Sequence, residues 1–363
     1  MPRIIRGACH ACLLTGMVLA LTACNAGTDD PDPAPVTTTQ VLHDISTQVI
    51  YATYLDFQIK TDVLQKAVTL FGKAPNGANL SAAQKAWRDA RVPWEANEGF
   101  LFGPVVTIPV DEMIDSWPIN RVDLDVMLQS DDPLTKDFID GLDGTLKGFH
   151  ALEYLLFGDP SNAGDLDKYA AKLTPRELAY LQAVSASLKG KVDELVQAWN
   201  PAGGNFLGEL RTAGKGSTLY ATEGQALEEL LNGIINICDE VSGEKMYRPF
   251  HAEPPDRNEE ESHFSDNSTN DFADNLRSAR NVYLGTYFGK GGKGLKALVE
   301  KKDPALAAKV ETQLDAAIAA TLAMGVYGDA MFIAPGKINT ATTAIRDLRY
   351  TLAIPVTALL IED

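Results

Sequence analysis

Three stretches of this 363-residue chain place residues that can do chemistry at telling spacings. The sharpest is Gly148-Phe149-His150-Ala151-Leu152-Glu153-Tyr154-Leu155-Leu156-Phe157-Gly158. On a helix, His150 and Glu153 project from one face because they are three residues apart. That face also carries Leu146, Phe149, Leu156 and Phe157, so the pair sits mid-way across an apolar arc. An ionisable group there is costly unless a partner or a metal ion satisfies it. Gly148 leaves room for another backbone or a ligand. Taken bare, H-x-x-E is a weak pattern, and it fits a buried His–Glu hydrogen bond between helices better than a ligand pair.

The second stretch runs from Ala86 to Phe100. On a helix over 81–102, Trp87, Arg91, Trp94, Glu98 and Leu101 share one face. One reading is a core stripe with the Arg91 stem packed under tryptophan. The other makes Glu98 a further carboxylate for the His150/Glu153 site, held in place by Arg91 or Trp94. Pro93 within that helix predicts a kink. The third stretch, Glu261-Ser262-His263-Phe264-Ser265-Asp266-Asn267-Ser268, enters a helix bearing Asp271, Asn275 and Tyr283. Ser268, Asn270 and Asp271 are natural caps, which accounts for part of the polar cluster. On the functional reading, one pocket would hold His150, Glu153 and Glu98 as metal ligands, with Ser265, Asp266 and Asn275 in support from the second half of the chain.

One histidine among several carboxylates is an oxygen-rich donor set, better suited to Fe, Mn or Ca than to catalytic zinc. The peptidase motifs H-E-x-x-H and H-x-x-E-H both lack their second histidine, since Tyr154 follows Glu153. Paired E-x-x-H motifs of a dinuclear centre are also missing. No phosphate-cradling glycine loop, Ser/His/Asp order or C-x-x-C-H haem motif stands out.

Helical periodicity positions these residues. It predicts helices at 41–72, 81–102, 134–157, 175–199, 216–247, 270–288, 304–325 and 338–361. Turn chemistry separates them, as in Asn200-Pro201-Ala202-Gly203-Gly204 and Lys290-Gly291-Gly292. Ser81 and Thr174-Pro175 read as helix starts. The economical architecture is all-α: two tandem helical bundles of about four helices each, at 41–200 and 215–363. Segments 103–133 and 248–269 fall outside the pattern as long irregular loops, which are often functional.

Residues 1–23 read as a signal peptide, with Arg3 and Arg6 before an apolar run from Ala11 to Leu21 that is too short to span a bilayer. Leu21-Thr22-Ala23-Cys24 resembles a bacterial lipobox, making Cys24 the expected lipidation site. The Pro/Asp/Thr-rich stretch to Gln40 then reads as a tether (24–40). Cys9 and Cys12 fall inside the signal, which leaves Cys238 without a disulfide partner. These features predict a cell-envelope protein facing the periplasm and held to a membrane by its lipid. Asn25 after the cysteine favours the outer membrane by resemblance to enterobacterial sorting. A net charge of −17 repels phosphate backbones and argues against nucleic-acid partners.

The three stretches, G-x-H-x-x-E-Y-L-L-F-G, A-W-x-x-A-R-x-x-W-x-x-x-E-x-F-x-F-G-P and S-x-F-S-D-N-S-x-x-D-F-x-x-N-L, resemble those of imelysin-family lipoproteins and periplasmic proteins, in the same order. The likeness extends over nearly the whole chain after the tether, and Gly148/His150/Glu153 matches the family's signature. The resemblance implies two helical bundles with a site where they meet, and it moves His150 and Glu153 from structural pair to ligands. It also implies a role in bacterial iron uptake, with iron or another divalent metal bound and iron-uptake components as partners. The expected function is a non-catalytic binding lipoprotein. The alternatives are a metal-dependent peptidase, as some members were first classed, or a binding module for a polyanion or haem.

Overall fold

The computed structural model describes residues 35–158 and 165–361. The signal segment, Cys24 and most of the tether lie outside them. Among the described residues, eight helices have ten residues or more: α1 (Ala52–Lys73), α2 (Gly77–Glu95), α3 (Gly148–Phe157), α4 (Pro175–Trp199), α5 (Glu223–Glu240), α6 (Ser268–Leu284), α7 (Pro304–Leu322) and α8 (Pro335–Thr351). The one pair of strands among the described residues is a short hairpin, β1 (Thr286–Tyr287) and β2 (Lys290–Gly291). The fold is thus all-α.

Local chemistry explains the starts. Thr174 caps α4 in a reciprocal capping box with Glu177, and Pro175 occupies the first turn. Thr222 and Gln225 do the same for α5. Helix α2 begins earlier than Ser81 suggested, because the Asn76 side chain accepts a hydrogen bond from the Asn79 N–H and caps it there.

Of the other boundaries that differ from the periodic reading, two shape the site and a third places a hairpin after α6. Helix α2 stops at Glu95 rather than running to 102, with Pro93 unable to donate in its last turn. Glu98–Phe100 forms a separate 3-10 turn, where the Gly99 N–H donates to Ser278 Oγ at 2.8 Å. The stretch predicted as one helix over 134–157 breaks into short turns, and α3 starts afresh at Gly148. Gly148 has φ +75°, and a Cβ there would fall 2.2 Å from the Ile114 carbonyl oxygen. Helix α6 ends at Leu284 on Gly285 in the left-handed conformation, and the hairpin follows where helix was expected. The 103–133 segment is only partly irregular: it contains short helices at Pro104–Thr107, Val110–Ile114 and Arg121–Gln129.

Helix α1 packs along α2 and α4, and α3 fills the space between α2 and α4. In the second half, α7 lies against α6 and α8. The halves meet where α6 crosses α2 and where α5 takes the Glu98–Phe100 turn. Val36–Asp363 is one compact unit, and one connected core holds Trp87, Phe149 and Trp199 together with Leu276, Val282 and Ile345.

Candidate functional site

His150 and Glu153 lie one turn apart on α3 and are both buried, with His150 only 2% exposed. His150 Nδ1 donates to Glu153 Oε2 at 3.0 Å. The other oxygen of Glu153 accepts from the Ser265 N–H at 2.8 Å and the Ser265 hydroxyl at 2.7 Å. Glu153 is therefore fully engaged in orienting the imidazole and docking the 260s segment. The far side of the ring carries the available atom. His150 Nε2 lies 3.2 Å from Asp115 Oδ1, at an angle that leaves it without a formed hydrogen bond.

Asp115 reaches this position because Gly148 admits the Ile114 backbone against the start of α3. Its Oδ2 accepts from Trp94 Nε1 at 2.6 Å, and its Oδ1 pairs with the Arg91 guanidinium. Arg91 is completely buried. It also pairs with Glu95 one turn on, with Glu261 Oε1 at 3.0 Å and with Asp271 Oδ1 at 3.4 Å. Glu95 accepts from Asn275 Nδ2 at 2.6 Å, and the Lys245 ammonium lies 3.2 Å from Glu261 Oε1. Buried charges persist only with such pairing. The interface of the two halves is an interlocked network of carboxylates around one guanidinium, one ammonium and one imidazole.

Two groups within the network bring ligand atoms to within 4.8 Å of one another: Asp115, His150 and Glu261, and Glu98, Asp111 and Asp115. Asp115 belongs to both. The second group opens on a cavity of about 290 Å³ that is also lined by Trp117, Glu240 and Lys245. In the inner group, His150 Nε2 and Glu261 Oε2 are buried without hydrogen-bond partners. A metal ion fits this donor set, which offers one imidazole nitrogen backed by a carboxylate on its other nitrogen, plus carboxylate oxygens.

Electrostatics sharpens the picture. Burial alone pushes His150 down, but contact with Asp115 and Glu153 outweighs it and carries the imidazole up to about 10. Burial opposes the charged form of Asp115 as well, yet Arg91 and His150 hold its carboxyl down to about 2. Glu98 is raised well above the usual carboxylate range by burial, with Lys245 opposing and Glu95 and Asp111 adding to the rise. Burial and Asp115 push Asp111 up to about 6. An incoming cation thus meets at Glu98 a carboxyl biased towards its protonated form, with the His150 imidazolium behind it, and binding must displace those protons.

Of the residues expected in one pocket, Arg91, Trp94, Gly148, His150, Glu153, Ser265 and Asn275 join the network. Glu98 does so from the cavity side, on a turn separate from the aromatic stripe of α2. Asp266 does not: its carboxylate points to Arg257 at 2.5 Å and is 41% exposed. The expected site left out Asp115, Lys245, Glu95 and Asp111, and it had Glu261 and Asp271 only as members of the polar stretch that enters α6. Asp115, Asp111 and Glu261 all lie in the two segments that broke the helical pattern, and Glu95 stands one turn after Arg91.

The fold is that of a known family. The Imelysin family model, which carries the peptidase designation M75, matches residues 50–354, and the chain belongs to that family. Iron-regulated protein A of Synechococcus elongatus is 30% identical over 321 residues, covering 87% of this chain and 85% of that protein. The crystal structure of a Parabacteroides distasonis protein described as an iron-regulated protein A precursor superposes with a TM-score of 0.77 at 26% identity, over 91% of this chain and 97% of the other. An imelysin-like protein from Psychrobacter arcticum shares the fold at a TM-score of 0.71 and 14% identity, over 89% and 95% of the two chains.

Proposed function

We propose that this protein is a cell-envelope lipoprotein that binds a metal ion or an iron-containing ligand between its two helical halves and serves iron acquisition. The observation that carries the reading is the buried Asp115–His150–Glu261 group, in which His150 Nε2, ion-paired with Asp115, and Glu261 Oε2 make no hydrogen bond, beside an acidic cavity through which a cation can enter. The relatives named iron-regulated protein A support iron as the metal. A cavity of about 290 Å³ suits an ion with a small ligand.

Ferrous and ferric iron retained after dialysis should approach one per chain in the wild type. His150→Ala and Glu261→Gln should each lower retention at least about tenfold, a loss on the order of 1.4 kcal/mol or more. Wild type that retains no iron, or variants that retain as much as wild type, would sink the metal reading. The anchor is tested separately: Cys24→Ser should move the protein from the outer-membrane fraction to the soluble periplasm. Recovery of both forms in the same fraction contradicts lipidation.

A further inference from the structure

A second cavity, of about 440 Å³, lies away from the interface carboxylates, between α2, α6, α7 and the β1–β2 hairpin. Its wall is largely apolar, with Val92, Ile318 and Leu322 among its residues, and Arg277 and Arg280 of α6 line it together with the carboxylates that they pair with, Asp274 and Asp315. The two arginines are three residues apart on one helix face. Each is anchored by a single nitrogen: Arg277 Nη1 donates to Asp274 at 2.5 Å, and Arg280 Nε to Asp315 at 2.7 Å. A guanidinium has five N–H donors, so most of each fork remains for another acceptor.

The hairpin adds an independent observation. Tyr287 pairs with Lys290, leaving the two-residue turn Phe288-Gly289, in which both residues have positive φ, 48° and 72°. That is a type I′ turn, whose first position favours Asn, Asp or Gly. A bulky side chain in the left-handed region is strained, and such strain persists where another role demands the residue. Phe288 nevertheless lines the cavity while 71% exposed, so the fold gains little packing from it. The Tyr287 ring lies 4.5 Å from it, and the Tyr287 hydroxyl is pinned by donation to Asp56 at 2.8 Å.

We infer that this cavity is a binding site for a small planar aromatic anion, whose ring lies against the apolar wall under Phe288 and whose anionic group is held by Arg280 and Arg277. The volume suits a ligand of one or two fused rings. Guanidinium forks match a carboxylate in geometry and charge. The site is separate from the metal site, because none of the carboxylates of the interface network lines it.

The test uses 1-naphthoate as the probe, titrated calorimetrically into the intact protein, with 1-naphthalenemethanol as the neutral counterpart. Naphthoate should bind saturably, and the alcohol at least about tenfold more weakly. Arg280→Gln should weaken naphthoate binding at least about tenfold; its partner Asp315 is 58% exposed, so the fold tolerates the change. Phe288→Asn should weaken binding similarly while holding or raising the melting temperature, since Asn suits the turn. His150→Ala should bind naphthoate like the wild type. Absence of saturable binding, equal affinity for the alcohol, or unchanged affinity in both cavity variants overturns the proposal. A melting temperature lowered by Phe288→Asn also overturns it, because the phenyl would then be a packing group.

Discussion

His150 concentrates the chemistry of the site at the residue scale. Its imidazole stands between Glu153, which orients it, and Asp115, which shares its Nε2 side with Arg91. A folded-state value near 10 against an ordinary 6.5 means that the fold binds the proton more tightly than the unfolded chain does. The stability this contributes is complete below pH 6.5 and is lost as pH rises through about 10. Chemical denaturation should therefore show falling stability between those limits, with a slope approaching about 1.4 kcal/mol per pH unit for one group. In His150→Ala the slope should flatten, and a wild-type profile as flat as the variant's would refute the assignment. The same proton links pH to metal. Binding at Nε2 expels it, so affinity should rise with pH through the neutral range.

At the scale of elements, the contact between α3 and the Val110–Ile114 helix decides whether there is a site at all. Gly148 permits it by accepting a positive φ and by lacking the Cβ that would strike the Ile114 carbonyl. Neither role can be met by alanine. Gly148→Ala should destabilise the protein by about 2–4 kcal/mol, combining left-handed strain with a backbone clash. It should also lower iron retention, because Asp115 moves with Ile114. Urea denaturation beside metal analysis checks both, and a cost below about 1 kcal/mol would mean that the approach is not needed. The signature glycine in G-x-H-x-x-E is explained by this approach of a backbone. Its spacing from His150 is legible in sequence, while the element it admits is not.

For the whole molecule, the charge network and the core both cross between the halves. Arg91 of α2 pairs with Glu261 and Asp271, Asn275 donates to Glu95, and Gly99 seats on Ser278. Removing one partner of a buried ion pair typically costs about 3–5 kcal/mol, so neither half keeps its interface alone. Scanning calorimetry of the protein should give one unfolding transition; two separated transitions would mean bundles that fold independently.

What the chain carries locally, it declares locally. Helical period, the Thr174-Pro175 helix start, the Asn200–Gly204 break and the burial of the His150/Glu153 face depend on residues within a turn or two of one another, and all were readable in order along the sequence. The motif spacing was enough to indicate the family and one face of the site. The donor set was different. Asp115 stands 35 positions before His150 and Glu261 stands 111 after it. Asp115 lies in a segment whose only sequence signal was the lack of a period, and Glu261 heads a polar stretch that gave no sign of what it would face. Their convergence on one imidazole rests on a glycine admitting a distant backbone, on α2 ending at Glu95, and on Ser265 closing over Glu153. Periodicity reports which face of a helix is buried; it contains no information about what is buried against it, and that pairing exists only once long-range packing has selected one arrangement of the helices.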